Sequence, residues 1–341
     1  MTHSQLWLSF AAAVLAALLS AILTWAVRPL MMRIALAKPN ARSSHRVPTP
    51  QGAGVAVIAA TLVSAVAVIA LAGAAQTTIP IVVFGATLFV AAVGFADDIN
   101  SIPVVPRLLL QGIAVAAVIL AAPESLRIVP ACPLWIERGL LVLAGLWFVN
   151  LVNFMDGLDL MTAAEIVPIT GTLILLGWLI ELPTPATVAA AALFGAMLGF
   201  APFNRPVAKI FLGDVGSLPI GLLTGWCLLQ LAWHQQVTAA LLLPLYYLAD
   251  ATVTLLRRAA RREPFWAAHR THFYQRATDN GFSVSRVVSE VFALNLVLAA
   301  LAIGSAMTAS TTIAILLLIV GGIATALLMH RFSRRRTSAA S

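Results

Sequence analysis

An all-α, polytopic membrane bundle is the fold the sequence predicts, and three observations predict it. Of 341 residues, 61% are hydrophobic and 10% charged, with a mean hydropathy of +0.96, which leaves too little polar surface to cover a soluble globule of this size. Apolar runs long enough to cross ~30 Å of hydrocarbon recur along the whole chain. The basic residues crowd into alternate loops. Soluble Rossmann-type enzymes, fibrous proteins and disordered chains are thereby excluded. Cys132 and Cys227 are too few to make a disulfide framework or a four-ligand zinc site.

The runs lie at 6–28, 53–73, 79–95, 105–122, 137–154, 163–181, 186–203, 216–233, 237–256, 287–305 and 311–330, about eleven transmembrane helices. An odd number puts the termini on opposite sides. With the amino terminus periplasmic and the carboxyl terminus cytoplasmic, 19 of the 21 Lys and Arg residues are inside, and Arg127 and Arg138 alone are outside. The net charge of +8 is therefore a topology signal and implies no nucleic-acid partner. The first run lacks a basic segment before it and carries Arg28 after it, so it reads as a retained signal anchor. No internal repeat or linker divides the chain, and residues 1–341 form a single integral membrane domain. Its cytoplasmic loops 29–52, 96–106, 155–162, 204–215 and 257–286 carry the candidate active site.

Burying an unpaired carboxylate in lipid costs at least ~2.5 kcal/mol, so the placement of the acids is informative. Asp97, Asp98, Asp156, Asp159 and Asp214 all fall at the cytoplasmic ends of spans or just beyond them, whereas Glu124, Glu137 and Glu181 are external. Aspartate is the shortest carboxylate and holds a phosphate-bound Mg²⁺ with little freedom. Asp97-Asp98 follows span three, where a carboxylate opposes the helix dipole unless a metal or a basic neighbour such as Arg107 compensates it. Solvated helix termini are the alternative for this pair. In Asn150-Leu-Val-Asn153-Phe-Met-Asp156-Gly157-Leu-Asp159, polar residues recur every three positions, keeping Asn153 and Asp156 on adjacent faces. A polar bundle interface is the other reading of this stretch.

In Asn204-Arg-Pro-Val-Ala-Lys-Ile-Phe211-Leu-Gly213-Asp214-Val-Gly216-Ser217, glycines let backbone amides approach an anion at a helix amino terminus. The 257–286 loop carries four arginines and then His269-Arg270-Thr-His272-Phe-Tyr-Gln-Arg276. Two His at i and i+3 want a third strong ligand before they hold zinc; hydrogen bonds and positive charge for a diphosphate are the favoured role of His269, Arg270 and His272.

Taken in order, these pieces resemble the polyprenyl-phosphate N-acetylhexosamine-1-phosphate transferase family. The resemblance runs from the Ser43-Ser-His45-Arg46-Val-Pro-Thr-Pro-Gln-Gly52 loop, through Asp97-Asp98, Asn153-x-x-Asp156-Gly-x-Asp159 and Phe211-x-Gly-Asp214-x-Gly-Ser217, to His269-x-x-His272. The form of the His motif looks closest to the O-antigen-initiating branch. Two positions depart from the pattern: Gly52-Ala53 replaces a Gly-Gly pair, and Leu160 stands where a second Gly often follows Asp159.

The resemblance implies transfer of a sugar 1-phosphate from a UDP-N-acetylhexosamine, or a 6-deoxy derivative, to undecaprenyl phosphate at the cytoplasmic face of the bacterial inner membrane, releasing UMP. It implies Mg²⁺ or Mn²⁺, without which the carboxylates would repel both substrates. In that scheme Asp214 is the metal ligand with Asp98 assisting, and Asp97 orients or deprotonates the acceptor. Asn153, Asp156 and Asp159 shape the nucleotide pocket, with Asn204 and Ser217 beside them, and Phe211 stacks on uracil. His45, Arg46, Arg107, His269, Arg270 and His272 bind the phosphates. The chain is expected to work within the lipid bilayer, and a homodimer is compatible with it. Two alternatives are a CDP-alcohol phosphotransferase, whose Asp-Gly-x-x-Ala-Arg signature is absent after Asp156, and a secondary transporter, for which Asp250 in span nine would be the key residue.

Overall fold

The computed structural model describes residues 2–37, 48–73, 80–264 and 269–335; His45 and Arg46 lie outside them. Among the described residues thirteen α-helices follow one another: α1 (Thr2–Ile34), α2 (Gly54–Leu71), α3 (Ile81–Ile99), α4 (Val104–Leu120), α5 (Leu134–Met155), α6 (Met161–Leu179), α7 (Thr184–Phe200), α8 (Asp214–Trp233), α9 (Val237–Leu242), α10 (Leu245–Ala260), α11 (Phe273–Asp279), α12 (Val284–Met307) and α13 (Thr311–Ser333). A two-residue ribbon, β1 (Leu36–Ala37) antiparallel to β2 (Thr49–Pro50), closes the loop after α1. Among the described residues nine helices are long and apolar enough to cross a membrane, so the chain is an all-α polytopic membrane protein.

Two expectations change. The predicted ninth span, 237–256, is two helices, six-residue α9 and sixteen-residue α10, broken at Leu243-Pro244, since proline has no amide hydrogen to continue a ladder. Span three does not stop before the Asp pair either. α3 runs to Ile99, so Asp97 and Asp98 sit on its last turn and not in a loop.

Burial sorts the helices. In the most apolar eighteen residues of α8, 89% are buried, against 17% in α13, which puts α8 at the centre and α13 at the rim. The closest crossings rest on glycine, as helix contacts in lipid do. A Cβ on Gly195 or Gly199 of α7 would stand 1.9 Å or 2.2 Å from the carbonyl oxygens of Ala13 or Ala17 in α1. Ser20 of α1 adds a hydrogen bond of 2.7 Å to the Ala196 carbonyl.

At the end opposite the acidic motifs, both predicted external arginines serve the fold. Arg138 donates to the carbonyls of Ile119 (3.1 Å) and Pro123 (2.7 Å), satisfying acceptors where α4 ends. Arg127 pairs with Glu137 at 2.8 Å, and the Ile128 amide donates to the same carboxylate.

Candidate active site

The last turn of α3, the last turn of α5 and the first turn of α8 meet at one end of the bundle. Glycine makes the meeting close: a Cβ on Gly94 would lie 2.3 Å from the Asp214 carbonyl oxygen, and one on Gly54 would lie 2.2 Å from the Gly216 amide. Asp98 fixes α8 from outside its own helix, accepting from the amides of Asp214 (2.9 Å) and Val215 (3.0 Å). A carboxylate that would oppose the dipole of α3 thus faces the favourable amino terminus of α8. Gly213 is required here. Its φ is +77°, and a Cβ would meet Asp98 Oδ2 at 2.5 Å.

Asp97 sits beside this cap. Its Oδ1 accepts from the Ile102 amide at 2.6 Å, and its Oδ2 pairs with Arg107 at 2.6 Å. The same Arg107 Nη1 lies 3.6 Å from Asp214 Oδ2, and the Asp97 and Asp214 carboxyls are within hydrogen-bonding reach of each other. Asn153, in the last turn of α5, donates to Asp214 Oδ1 (2.7 Å) and to Ser217 Oγ (2.9 Å). Asp156 caps α5 and accepts from the Thr162 hydroxyl. Burial pushes its carboxyl up to about 7, with further upward push from the charges of Asp98 and Asp159 against the downward pull of Thr162.

Other predicted site residues hold the backbone. Asp159 accepts from the Ala208 amide at 3.0 Å. Asn204 accepts from the Leu160 amide at 2.7 Å and donates to the Ile210 carbonyl at 3.1 Å. These ties fix the 204–211 loop against the start of α6. Leu160 itself has φ +62°, the left-handed conformation a glycine would take without strain, which accounts for the Gly expected there. Phe211, half-buried, bonds through its backbone to Pro50, Gly52 and Ala53, joining the α8 entry loop to β2.

The His motif arrives by a route that sequence reasoning missed. Asp250 of α10 is 0% exposed and accepts from the amides of Phe273 (2.9 Å) and Tyr274 (3.0 Å), from the Tyr246 hydroxyl (3.1 Å), from the Thr254 hydroxyl (3.3 Å) and from His272 Nδ1 (3.3 Å). It caps α11 and sets the His272 ring in one step. That ring stacks on Phe154 at 6.3 Å and lies 4.9 Å from the His269 ring. The Tyr274 hydroxyl donates to the Phe154 carbonyl at 2.9 Å, against Gly157, where a Cβ would be 2.2 Å from the hydroxyl oxygen. The motif is thus bound to the end of α5, next to Asp156. Arg270 turns to Thr278 (2.8 Å) and Asp279 (3.4 Å) of α11. Asp250, the residue a transport reading needs, is held by five donors of the fold.

The metal implied by the resemblance can be tested against the donor set. Among the described residues no three His, Cys, Asp or Glu side chains converge to cage an ion. Mg²⁺ does not require that. It keeps several waters and takes one or two carboxylates together with substrate phosphates, and the facing carboxyls of Asp97 and Asp214, with one arginine between them, fit such a shared ion. Asp98, expected as a second ligand, has both oxygens bonded to amides of α8.

Comparison with known proteins finds one matching family model and several relatives. Residues 80–232 match the family model Glycosyl transferase family 4. The chain is 33% identical over 129 residues to the phospho-N-acetylmuramoyl-pentapeptide-transferase of Enterococcus faecalis, covering 38% of this chain and 39% of that protein. It is 27% identical over 291 residues to the probable undecaprenyl-phosphate N-acetylglucosaminyl 1-phosphate transferase of Bacillus subtilis, covering 79% and 78%. To the decaprenyl-phosphate N-acetylglucosaminephosphotransferase of Mycolicibacterium smegmatis it is 29% identical over 314 residues, covering 81% and 77%. Against the Enterococcus protein, then, the match spans about two fifths of the relative's length, and against the other two it spans more than three quarters. The matched family region runs through α3 to α8, the helices that bring Asp97, Asn153, Asp156 and Asp214 together, and over more than three quarters of its length the chain is similar to polyprenyl-phosphate N-acetylglucosamine 1-phosphate transferases.

Proposed function

We propose that the protein transfers an N-acetylhexosamine 1-phosphate from a UDP-sugar to undecaprenyl phosphate, giving the lipid diphosphosugar and UMP and initiating an O-antigen-type envelope glycan. The observation that carries this reading is the meeting of Asp97, Asp214 and Arg107 at the same bundle end as Asp156 and His272. In the orientation predicted from the basic residues this end is cytoplasmic, in a bacterial inner membrane, where a soluble nucleotide sugar and a membrane-anchored phosphate can meet.

An acceptor phosphate oxygen attacks the phosphorus that carries the sugar. The new phosphoanhydride bond forms as the bond to the UMP oxygen breaks, and UMP leaves with the electron pair. Asp97 orients the acceptor phosphate and takes its proton when it arrives singly charged. Asn153 and Asp156 shape the nucleotide side, and Phe211, on its tethered loop, stacks on the uracil. Arg107, His269 and His272, with Arg46, stabilise charge on the diphosphate. Mg²⁺, or Mn²⁺ in its place, held by Asp214 with Asp97 in reach, would neutralise the phosphate oxygens around the reacting centre. Asp98, Asp159 and Asn204 hold the loops that carry these groups.

Membranes containing the chain, incubated with undecaprenyl phosphate and radiolabelled UDP-GlcNAc, UDP-GalNAc or their 6-deoxy analogues, should yield a labelled lipid from one donor, resolved by thin-layer chromatography. Unlabelled UMP added at high concentration should reverse the reaction. Absence of labelled lipid with every donor, from folded protein and with Mg²⁺ present, would overturn the proposal.

A further inference from the structure

Two cavities away from the carboxylates share a wall. One, of about 200 Å³, lies at the basic end of α10 and is lined by Arg257, Arg258, Arg261 and Arg276 with a single acid, Glu263. Glu263 is already paired with Arg258 at 2.7 Å, so the pocket keeps a strong positive balance. Arg257 lies over the Phe273 ring at 4.8 Å, which holds one guanidinium at the rim. The second cavity, of about 340 Å³, is a trough between α10 and α13 whose walls are chiefly apolar, running from Leu245 to Arg257 and from Gly322 to Ser333. Arg257 and Phe273 line both cavities.

The trough follows α10 from Leu245 to Arg257, about 18 Å of helix, close to one leaflet of a ~30 Å hydrocarbon core. Its flanks, Leu256 and Leu327, are exposed as lipid-facing residues are. Thr325, 2% exposed, lines it, and its hydroxyl has no hydrogen-bond partner among the described residues. A hydrocarbon channel that opens at one end into a cluster of arginines matches an amphiphile with one apolar chain along the helix and one anionic head at the surface.

We propose that this is a binding site for an anionic glycerophospholipid, with its phosphodiester among Arg257, Arg261 and Arg276, an acyl chain between α10 and α13, and an ester oxygen in reach of Thr325. The site is separate from that of the acceptor substrate. Thr271 and Phe273 line the basic pocket, while His272 between them turns the other way, onto Asp250 and Phe154. The floor residue Thr254 donates to Asp250 at 3.3 Å, so the bound lipid buttresses the carboxylate that sets His272.

The full chain, reconstituted in phosphatidylcholine with spin-labelled phosphatidylglycerol or spin-labelled phosphatidylcholine, gives the relative association of the two lipids by electron paramagnetic resonance, with no turnover needed. The wild type should prefer phosphatidylglycerol. Arg257→Gln should cut that preference about fivefold, the scale of one basic residue at an anionic surface, and Arg257→Gln/Arg261→Gln should cut it further. Ala326→Trp, which fills the trough from α13 without changing charge, should reduce it too, and Arg33→Gln at the end of α1 should not. Equal loss in Arg33→Gln would mean general surface attraction and overturn the site, as would an unchanged preference in the double variant. Stoichiometric displacement of the labelled phosphatidylglycerol by undecaprenyl phosphate would give the site to the acceptor instead, and would overturn the phospholipid assignment while leaving the proposed reaction intact.

Discussion

Asp98 and Asp214 are both half-exposed carboxylates at helix ends, yet their surroundings differ in kind. Asp98 binds two backbone amides of another helix; Asp214 meets side chains, Asn153, Arg107 and Asp97. Asp250 and Asp159 belong with the first, since amides of α11 and of the 204–211 loop end on them. Asp156, bonded to Thr162, belongs with the second. Backbone donors fix a fold and leave little charge to offer, whereas side-chain partners can move aside for a ligand. The motif aspartates thus divide into a scaffold and a reactive set, with Asp97 straddling them, one oxygen on the Ile102 amide and the other on Arg107, although nothing in residue type separates them.

The sharpest way to break this division is Asp214→Asn. It keeps the acceptor for Asn153 and removes the charge, so turnover should fall by more than about 10³-fold, beyond the loss of a single transition-state donor, with the thermal unfolding midpoint near that of the wild type. Near-normal turnover with unchanged Mg²⁺ dependence would move Asp214 into the scaffold. His272→Ala should lower kcat by about 10² to 10³, and a zinc-selective chelator should leave the wild type untouched; inhibition reversed by added Zn²⁺ would point to a metal at the two histidines.

A scaffold residue should show itself in stability first. Asp98→Ala leaves two amides of α8 without their cap and should cost about 2 kcal/mol of folding stability, read as a lower denaturant midpoint, and Asp98→Asn should cost less because one acceptor oxygen remains. If Asp98→Ala lost turnover and Mg²⁺ affinity with no loss of stability, Asp98 would join the reactive set.

The smallest effect sharpens the comparison through pH. With its carboxyl pushed up to about 7, Asp156 is largely protonated below that pH and adds its negative charge to the cluster only above it. Mg²⁺ held at Asp214 and Asp97 feels that charge through space, so its affinity should rise as pH increases through about 7, by less than the roughly tenfold per unit that obligatory loss of one proton would give. Titration of Mg²⁺ binding between pH 5.5 and 8.5 tests this, and Asp156→Asn should flatten the curve.

Much of this architecture is written locally in the sequence. Spans such as 53–73 and 216–233 are apolar over a bilayer's length, and α2 and α8 follow them within a few residues. The motifs that carry Asp97, Asn153, Asp156 and Asp214 could also be read, because each ends a span on the same side. Roles that depend on distant partners could not. Asp98 binds amides 116 residues away, and Asp250 binds amides 23 and 24 residues on, with no spacing rule to announce either. The run at 237–256 hid its break because leucines flank Pro244 on both sides and keep the hydropathy high.

The arginine-stapled segment between α4 and α5 has a consequence for how the chain is assembled. Residues 121–138 carry Glu124, Arg127, Glu137 and Arg138, two charges of each sign, and the Arg127–Glu137 pair is formed at 2.8 Å. If this segment crosses to the outer side during insertion, it moves no net charge through the electric field of an energised membrane, where each unbalanced elementary charge would require about 2.3 kcal/mol of work per 100 mV. Replacing Glu137 with a neutral residue would leave one positive charge to be exported against that voltage, so export of this segment would become sensitive to the membrane potential.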